Sequence, residues 1–214
     1  SRSFEESLRR AGLPYRIVGA MRFYERKEIK DALCYARALL NPADSTSLSR
    51  ILNVPARGIG KTSIERIESF AAASGSTLYE AFQKVDAIPN LTPGCRRSVG
   101  ELVAILEKLR EELPSLSASG AIARILDASG YWAALEVETE TDPEAVGRLN
   151  NLQELLNAVK EYEGAKGREG QQIDLGTYLE AVSLQSDLDT KEAKEAGITL
   201  MTVHLAKGLE YPVV

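Results

Sequence analysis

The residues with the clearest chemical potential in this sequence lie in one glycine-containing turn, within the stretch 54–66. Gly58 and Gly60 can adopt backbone angles closed to other residues and let another backbone come close, and an unusual angle is expected at Gly60. Thr62 and Glu65 have the spacing of a capping box, so a helix is predicted to start there. The free N–H groups and partial positive charge of a helix start suit a phosphate group, which makes this turn a candidate phosphate site.

Basic residues collect around this turn, although the chain is acidic overall. Four basic side chains surround it: Arg50, Arg57, Lys61 and Arg66. Predicted helices over 45–53 and 62–73 would flank the turn and form a helix-hairpin-helix, which holds nucleic-acid backbone without distinguishing bases. The alternative is a plain connector between two helices, and on spacing alone the two interpretations are equally supported.

The tripeptide Gly60-Lys61-Thr62 also resembles the end of a phosphate-binding P-loop. That motif requires a glycine five positions before its second glycine, and Pro55 stands there instead. No other Gly-Lys pair followed by Ser or Thr occurs in the chain. We therefore reject a P-loop, and its absence argues against a self-sufficient ATPase.

Composition places the chain among ordinary globular proteins. Its 214 residues are 44% hydrophobic and 27% charged, so one large or two small domains with a sizeable core are expected. The net charge of -5 argues against a protein that binds nucleic acid over its whole surface, so any DNA contact must be local. Cys34, Cys95 and His204 make no familiar zinc pattern, so no metal site is expected and the thiols are predicted to be reduced and buried in a cytoplasmic protein. No apolar run approaches the length of a membrane span, so no membrane partner is expected.

Apolar periodicity predicts a mainly helical chain with strands near its two ends. Helices are predicted over 3–11, 26–40, 45–53, 62–73, 78–85, 97–113, 118–128, 144–162 and 175–184, with a short one opening at 131 and a turn or short helix over 204–210. Strands are predicted over 13–18, 198–203 and 212–214. The economical architecture is a helical domain inserted between two strand-bearing segments, which meet in a partly missing α/β domain. The predicted units are 1–20, 21–196 and 197–214, and the chain is expected to be a piece of a larger protein.

Several charged segments are predicted to be solvated. Taken alone, 22–31 is interpreted as a solvated helix start, and 136–144 as an exposed loop. The stretches 164–172 and 187–197 are predicted to be charged linkers.

Both ends of the chain carry motifs of a known family. The stretch 201–212, Met-Thr-Val-His-Leu-Ala-Lys-Gly-Leu-Glu-Tyr-Pro, resembles motif V of superfamily-one DNA helicases of the UvrD/PcrA/Rep type. The stretches 1–6 and 13–19 resemble the end of motif IV and the strand after it, 22–31 matches the segment that follows, and 55–60 matches the Gly-Ile-Gly turn of the inserted domain called 2B. The resemblance spans the whole chain in the same order and spacing, with departures at Leu205, Tyr211 and Ala20.

This resemblance implies a fold and a function. The fold would be mainly α: a helical 2B domain with a helix-hairpin-helix-like turn, flanked by short strand-bearing segments of a truncated α/β RecA-like motor domain, 2A. Such helicases hydrolyse ATP, move along single-stranded DNA and unwind duplex in replication or repair. Domain 2B touches the duplex ahead and swivels between open and closed positions, which regulates unwinding.

The resemblance also implies a set of site residues. The residues expected to bind duplex DNA are Arg57, Gly58, Ile59, Gly60, Lys61 and Thr62. Motif V would place Thr202 and His204 along the single-strand path, where a neutral histidine can stack or hydrogen-bond. It would place Glu210 near the ATP ribose, where its carboxylate can accept hydrogen bonds from the ribose hydroxyls.

The chain is expected to be inactive as an ATPase on its own. It lacks the Walker A lysine, the acidic magnesium site and the later arginines that phosphoryl transfer requires, so ATP and Mg²⁺ belong to the parent helicase. The expected partners are junctions of duplex and single-stranded DNA, the remaining motor domains, and a repair or transcription protein. The rival hypothesis is an interaction module that binds such a protein without direct DNA contact. The salt dependence of binding distinguishes these two hypotheses, because phosphate binding weakens steeply as the salt concentration rises and binding in an apolar groove does not.

Overall fold

The fold is mainly helical, and its helices and strands have defined bounds within the part of the chain that the structure describes. A computed structural model describes residues 4, 7–8, 11–13, 15–18, 23–167, 173–192 and 198–201. In chain order the elements are β1 (Tyr15–Val18), α1 (Lys27–Leu40), α2 (Ser45–Ile51), α3 (Lys61–Ser74), α4 (Leu78–Gln83), α5 (Pro93–Glu112), α6 (Ala118–Ala128), α7 (Tyr131–Glu138), α8 (Pro143–Gly167), α9 (Leu175–Glu192) and β2 (Ile198–Met201). Short 3-10 turns lie at Phe23–Glu25, Val85–Ala87 and Leu113–Ser115.

Side-chain caps fix where several of these helices begin. The capping residues are Asp44, Thr77, Thr92 and Ser117. Each accepts a hydrogen bond from a backbone N–H of the first turn, at 3.0 to 3.3 Å. These bonds satisfy amide groups that have no partner inside the helix. Among the helix starts whose caps are described, Thr77 and Glu80 form a complete capping box. The capping box predicted at Thr62 and Glu65 does not form.

Helix α1 lies at the centre of the core. It packs against α2, α5, α6, α8 and α9, and its apolar side chains are almost fully buried except Leu40 at its end. One cluster of buried apolar side chains extends from Phe23 to Val182. The helical residues therefore share a single core, as the matching apolar stripes of the predicted helices led us to expect.

The prediction that the segment 22–31 is solvated was wrong for two of its acidic residues, although Glu25, Lys27 and Lys30 are exposed. Glu28 is 5% exposed and Asp31 is 1% exposed. Asp31 accepts hydrogen bonds from Arg50 Nε at 2.7 Å and from Tyr131 Oη at 3.0 Å, and Glu28 accepts one from the side-chain amide of Asn151. These partners lie far along the chain, so helical periodicity could not reveal that the two carboxylates are paired inside the protein.

The two strands pair with each other in parallel. Tyr15 lies opposite Ile198, and Val18 lies opposite Met201. The segments before and after the helices therefore meet side by side, as the predicted architecture requires. The predicted extension of the second strand to 203, the turn or helix over 204–210 and the strand over 212–214 lie outside the described residues, as does most of the predicted helix over 3–11.

Several helices are longer than predicted. Helix α5 starts at Pro93 and not at 97, because Thr92 caps it and proline is well suited to the first turn. Helix α8 continues to Gly167 and α9 to Glu192, so the predicted linkers are helical over 164–167 and 187–192. Helix α7 reaches Glu138, which shortens the predicted loop over 136–144. Charge and glycine content misled these predictions, since neither excludes a helix that has solvent on one side.

The two cysteines are buried and unpaired, which confirms that part of the prediction for Cys34 and Cys95. Among the described helices, none combines the length and the apolar character that a membrane crossing needs. Within the same residues, no group of three or more His, Cys, Asp or Glu side chains is arranged to hold a metal ion.

Candidate nucleic-acid interface

The predicted phosphate site is the connection between α2 and α3, which are the two helices expected to flank it. Their predicted ranges, 45–53 and 62–73, agree with the observed ones to within two residues. Within the connection Gly58 has φ +70°, where residues with a side chain are strained. Gly60 has φ −77° and ψ 163°, which is ordinary extended backbone. The unusual angle expected at Gly60 is therefore at Gly58.

Helix α3 begins at Lys61, with Gly60 as its N-cap. The Gly60 carbonyl accepts from the N–H groups of Ser63 at 2.9 Å and Ile64 at 3.2 Å, so the helical hydrogen bonds already start there. Thr62 is the second residue of the helix and caps nothing, which corrects the predicted capping box. Glu65 instead lies 3.9 Å from Lys61 Nζ, one helical turn away.

The start of α3 presents backbone N–H groups to solvent. Glycine supplies no side-chain cap, and within the described part of the chain no group accepts from the amides of Gly60, Lys61 and Thr62. All three residues are exposed. The helix start is thus open at the position where Asp44, Thr77, Thr92 and Ser117 cap theirs, and it could receive an anion.

Asn53 braces the turn from inside. Its Oδ1 accepts from the backbone N–H of Arg57 at 2.7 Å and of Ile59 at 3.2 Å. The Ile59 side chain is 1% exposed and packs in the core, so it anchors the turn and presents no surface to a ligand. An asparagine two residues before Pro55 was the available sequence clue, since Asn often bonds nearby backbone in turns.

Arg57, which was predicted to bind DNA, directs its guanidinium into the protein. Nη1 donates to the carbonyl oxygens of Ile51 at 3.1 Å, Val54 at 2.8 Å and Pro55 at 3.3 Å. Nη2 donates to Tyr35 Oη at 2.6 Å and to the Ser129 carbonyl at 3.2 Å. Sequence reasoning missed Tyr35 and Ser129, because nothing local in the sequence connects them to this turn.

Lys61 is the basic residue that adjoins the open amides of the turn, and its charge is available to solvent. Its side chain is 89% exposed, and the ion pair with Glu65 is long and solvated, so it contributes little. Arg50 is paired with buried Asp31, and Arg66 donates to the Asn90 carbonyl. Within the expected basic cluster, Lys61 is therefore the cation that stands beside the open amides of α3.

Serine at Gly58 and serine at Gly60 are expected to change the free energy of unfolding in opposite directions. Gly58→Ser forces a side chain into the left-handed region and should destabilise by about 1–2 kcal/mol. Gly60 has nearly the backbone angles of Ser117, at φ −70° and ψ 166°, so Gly60→Ser should cap α3 and stabilise by a few tenths of a kcal/mol, roughly the usual difference between serine and glycine caps.

Urea unfolding of both variants and the unmodified chain measures this difference. An added Cβ meets no atom within 4 Å at either glycine, so clashes with neighbours do not disturb the comparison. Equal destabilisation by the two substitutions would contradict the assignment of Gly58 as the strained position.

The residues predicted to contact single-stranded DNA and nucleotide have no described geometry. Thr202, His204 and Glu210 lie outside the described residues. Met201, the last residue of β2, is the part of the motif V stretch that the structure places.

Comparison with known proteins identifies the family. The family of UvrD-like helicase C-terminal domains matches residues 1–214 of this chain. The chain is 41% identical over 217 residues to the ATP-dependent DNA helicase PcrA of Bacillus subtilis, and 39% identical over 227 residues to the ATP-dependent DNA helicase UvrD1 of Mycobacterium tuberculosis. It is 36% identical over 214 residues to the PcrA protein of Staphylococcus aureus. Each comparison covers 100% of this chain but only 28–29% of the relative. The chain belongs to the family of UvrD-like helicase C-terminal domains.

Proposed function

We propose that this chain is the DNA-binding and regulatory 2B domain of an ATP-dependent DNA helicase, with flanking pieces of motor domain 2A. The helical domain would span 21–196, and the flanks 1–20 and 197–214 would belong to 2A. Family membership supports this assignment, and so does the similarity to PcrA and UvrD1, which are ATP-dependent DNA helicases. The parallel pairing of β1 with β2 supports it further, because an inserted domain must leave and rejoin its host at neighbouring points.

The observation that carries the DNA-binding proposal is the uncapped start of α3. Its amides at Gly60, Lys61 and Thr62 are exposed and have no acceptor among the described residues, and the Lys61 ammonium stands beside them. A duplex phosphate would accept from these amides and be attracted by both the helix dipole and the lysine. Because such contacts reach only the phosphate backbone of the DNA, the binding would not depend on base sequence.

In this proposal the parent helicase moves along single-stranded DNA and unwinds duplex in replication or repair. The 2B domain contacts the duplex ahead of the motors through the helix-hairpin-helix formed by α2 and α3, and it swivels to regulate unwinding. ATP and Mg²⁺ act on the motor domains, which are also its partners within the parent, together with a repair or transcription protein. The parent would work in the cytoplasm.

Motif V would extend the proposal to the motor side of the chain. Thr202 and His204 would line the single-strand path, and Glu210 would approach the ATP ribose. The chain alone lacks the other groups needed for phosphoryl transfer, so the proposed activity of this piece is binding and regulation, and not hydrolysis.

Two substitutions in the turn are expected to weaken duplex binding in different ways. Lys61→Ala removes one charge and should weaken binding about threefold, with the slope of log affinity against log salt flatter by about one. Gly60→Val keeps a backbone angle that valine tolerates but places a branched side chain over the open amides. It should weaken binding by about tenfold or more, since bonds to a charged acceptor are lost.

The measurement is a salt titration of binding to a junction of duplex and single-stranded DNA. Lys160→Ala is a matched control, because Lys160 is an exposed lysine on α8, which is not one of the helices that flank the turn, and its removal changes net charge equally. Circular dichroism checks that each variant is folded. If both turn variants are folded and bind like the Lys160→Ala control at every salt concentration, the turn is a connector. The interaction-module hypothesis would then replace DNA binding.

A further inference from the structure

Arg57 differs from the other basic residues of the turn in how completely its side chain is engaged. Its two terminal nitrogens carry four N–H groups, and five acceptors lie within 2.6 to 3.3 Å of them. Four of these acceptors are backbone carbonyl oxygens, which cannot move away without reshaping the backbone. A phosphate could bind the two terminal nitrogens only by displacing some of these acceptors, and each displaced carbonyl would lose its partner at a cost.

We infer that Arg57 is a positioning residue, whose guanidinium sets the place and shape of the Gly58–Thr62 turn without itself contacting the duplex. This inference rests on the proposed function, because it assigns different tasks within the same turn. Lys61 and the open amides make the contact, and Arg57 holds them where the contact requires. The sequence prediction had assigned all of residues 57–62 to the DNA surface.

The bonds of Arg57 connect the turn to widely separated parts of the core. Through Nη2 the side chain reaches Tyr35, in the middle of α1, and the Ser129 carbonyl between α6 and α7. Its own carbonyl accepts from Ser98 Oγ of α5 at 2.9 Å. The turn is therefore fixed relative to three helical regions at once, and its position follows theirs.

Tyr35 is the partner that shows the bonds to be structural. Its side chain is fully buried, so it can reach no DNA. Burial raises the pKa of its hydroxyl above the ordinary value, although the Arg57 guanidinium acts in the opposite direction. The hydroxyl therefore stays protonated at neutral pH, donates to the Val54 carbonyl and accepts from Arg57. Through these two hydrogen bonds Tyr35 links the Arg57 guanidinium and the Val54 carbonyl to α1.

Substitution of Arg57 distinguishes a positioning role from a phosphate contact. Lysine keeps the charge but lacks the planar fork that meets several carbonyls at once, and glutamine loses both. We expect Arg57→Lys and Arg57→Gln to weaken junction binding to a similar extent, about tenfold, with the salt slope of the unmodified chain. Lys61→Ala, measured alongside, should flatten the slope by about one.

Tyr35→Phe is the second variant, and it decides the question if the Arg57 variants do not fold. It removes one hydroxyl from the core and leaves every surface charge in place. We expect several-fold weaker binding with an unchanged salt slope and a folded chain by circular dichroism. Binding equal to that of the unmodified chain would overturn the inference.

The remaining outcomes separate failure of the inference from failure of the proposed function. If Arg57→Lys binds like the unmodified chain while Arg57→Gln flattens the salt slope, Arg57 is a phosphate contact and the inference is wrong, although the proposed function stands. If folded Arg57 variants bind normally while Lys61→Ala is impaired, the positioning role is also wrong. If Lys61→Ala and Gly60→Val bind normally as well, the proposed function itself fails, and the inference with it.

Discussion

Replacing Asp31 with alanine is expected to lower the free energy of unfolding by about 2–3 kcal/mol, because the buried Tyr131 hydroxyl loses its acceptor and the partly exposed Arg50 loses its counter-charge. The Asp31 carboxylate is 1% exposed, and it accepts from Arg50 Nε at 2.7 Å and from Tyr131 Oη at 3.0 Å. Its removal leaves the buried Tyr131 hydroxyl without an acceptor and the Arg50 guanidinium without its counter-charge. The truncation also leaves a small cavity beside α1.

Urea unfolding monitored by circular dichroism measures this loss. Asp127→Ala is the matched control, because Asp127 also pairs with an arginine, Arg124, at 3.0 Å but has an 80% exposed side chain. The control should cost less than about 1 kcal/mol, since solvent screens an exposed pair. Similar losses for Asp31→Ala and Asp127→Ala would show that burial of the first pair adds nothing, and the expectation would be wrong.

Phe82→Ala is expected to lower the free energy of unfolding by about 3–5 kcal/mol, as is typical for truncating a large buried aromatic side chain. Phe82 is fully buried in α4, a helix of six residues that packs against α2, α3 and α5. A helix this short is not stable by itself, so tertiary packing must hold it. Loss of the ring should therefore loosen α4 in addition to leaving a cavity.

Val137→Ala is the control for this second prediction. Val137 is apolar and helical but 67% exposed, so its truncation should change stability by less than about 0.5 kcal/mol. Hydrogen exchange adds a local measurement, because amides of α4 should exchange faster than those of α8 in Phe82→Ala. A loss below about 1 kcal/mol would indicate that the site collapses around the missing ring, contrary to the expectation.

The helices could be predicted because each carries its own apolar stripe. The bounds of α6 were predicted correctly at both ends, where Ser117 caps the start and Ser129-Gly130 ends it. Segments rich in charge or glycine were predicted poorly. The continuation of α9 to Glu192 and the burial of Asp31 depend on the folded environment of those residues, which local composition does not record.

The candidate site shows the same division. The turn between α2 and α3 was located correctly, because two glycines and a lysine are local features. The inward direction of Arg57 and Ile59 was not predicted. It is set by Tyr35 and Ser129, which come from other parts of the chain, and by Asn53, whose bonds to the turn are visible only once it is folded.

The parallel pair of β1 and β2 has a consequence for the order of folding. Tyr15 and Ile198 come from near opposite ends of the chain, so their pairing closes a loop that contains every helix from α1 to α9. Closing so long a loop in an unfolded chain carries a large entropic cost, whereas several helix pairs, such as α1 with α2 and α3 with α4, are neighbours in the chain. The helices should therefore assemble first and bring the two strands together, so that the strand pair forms late and adds little to the speed of folding.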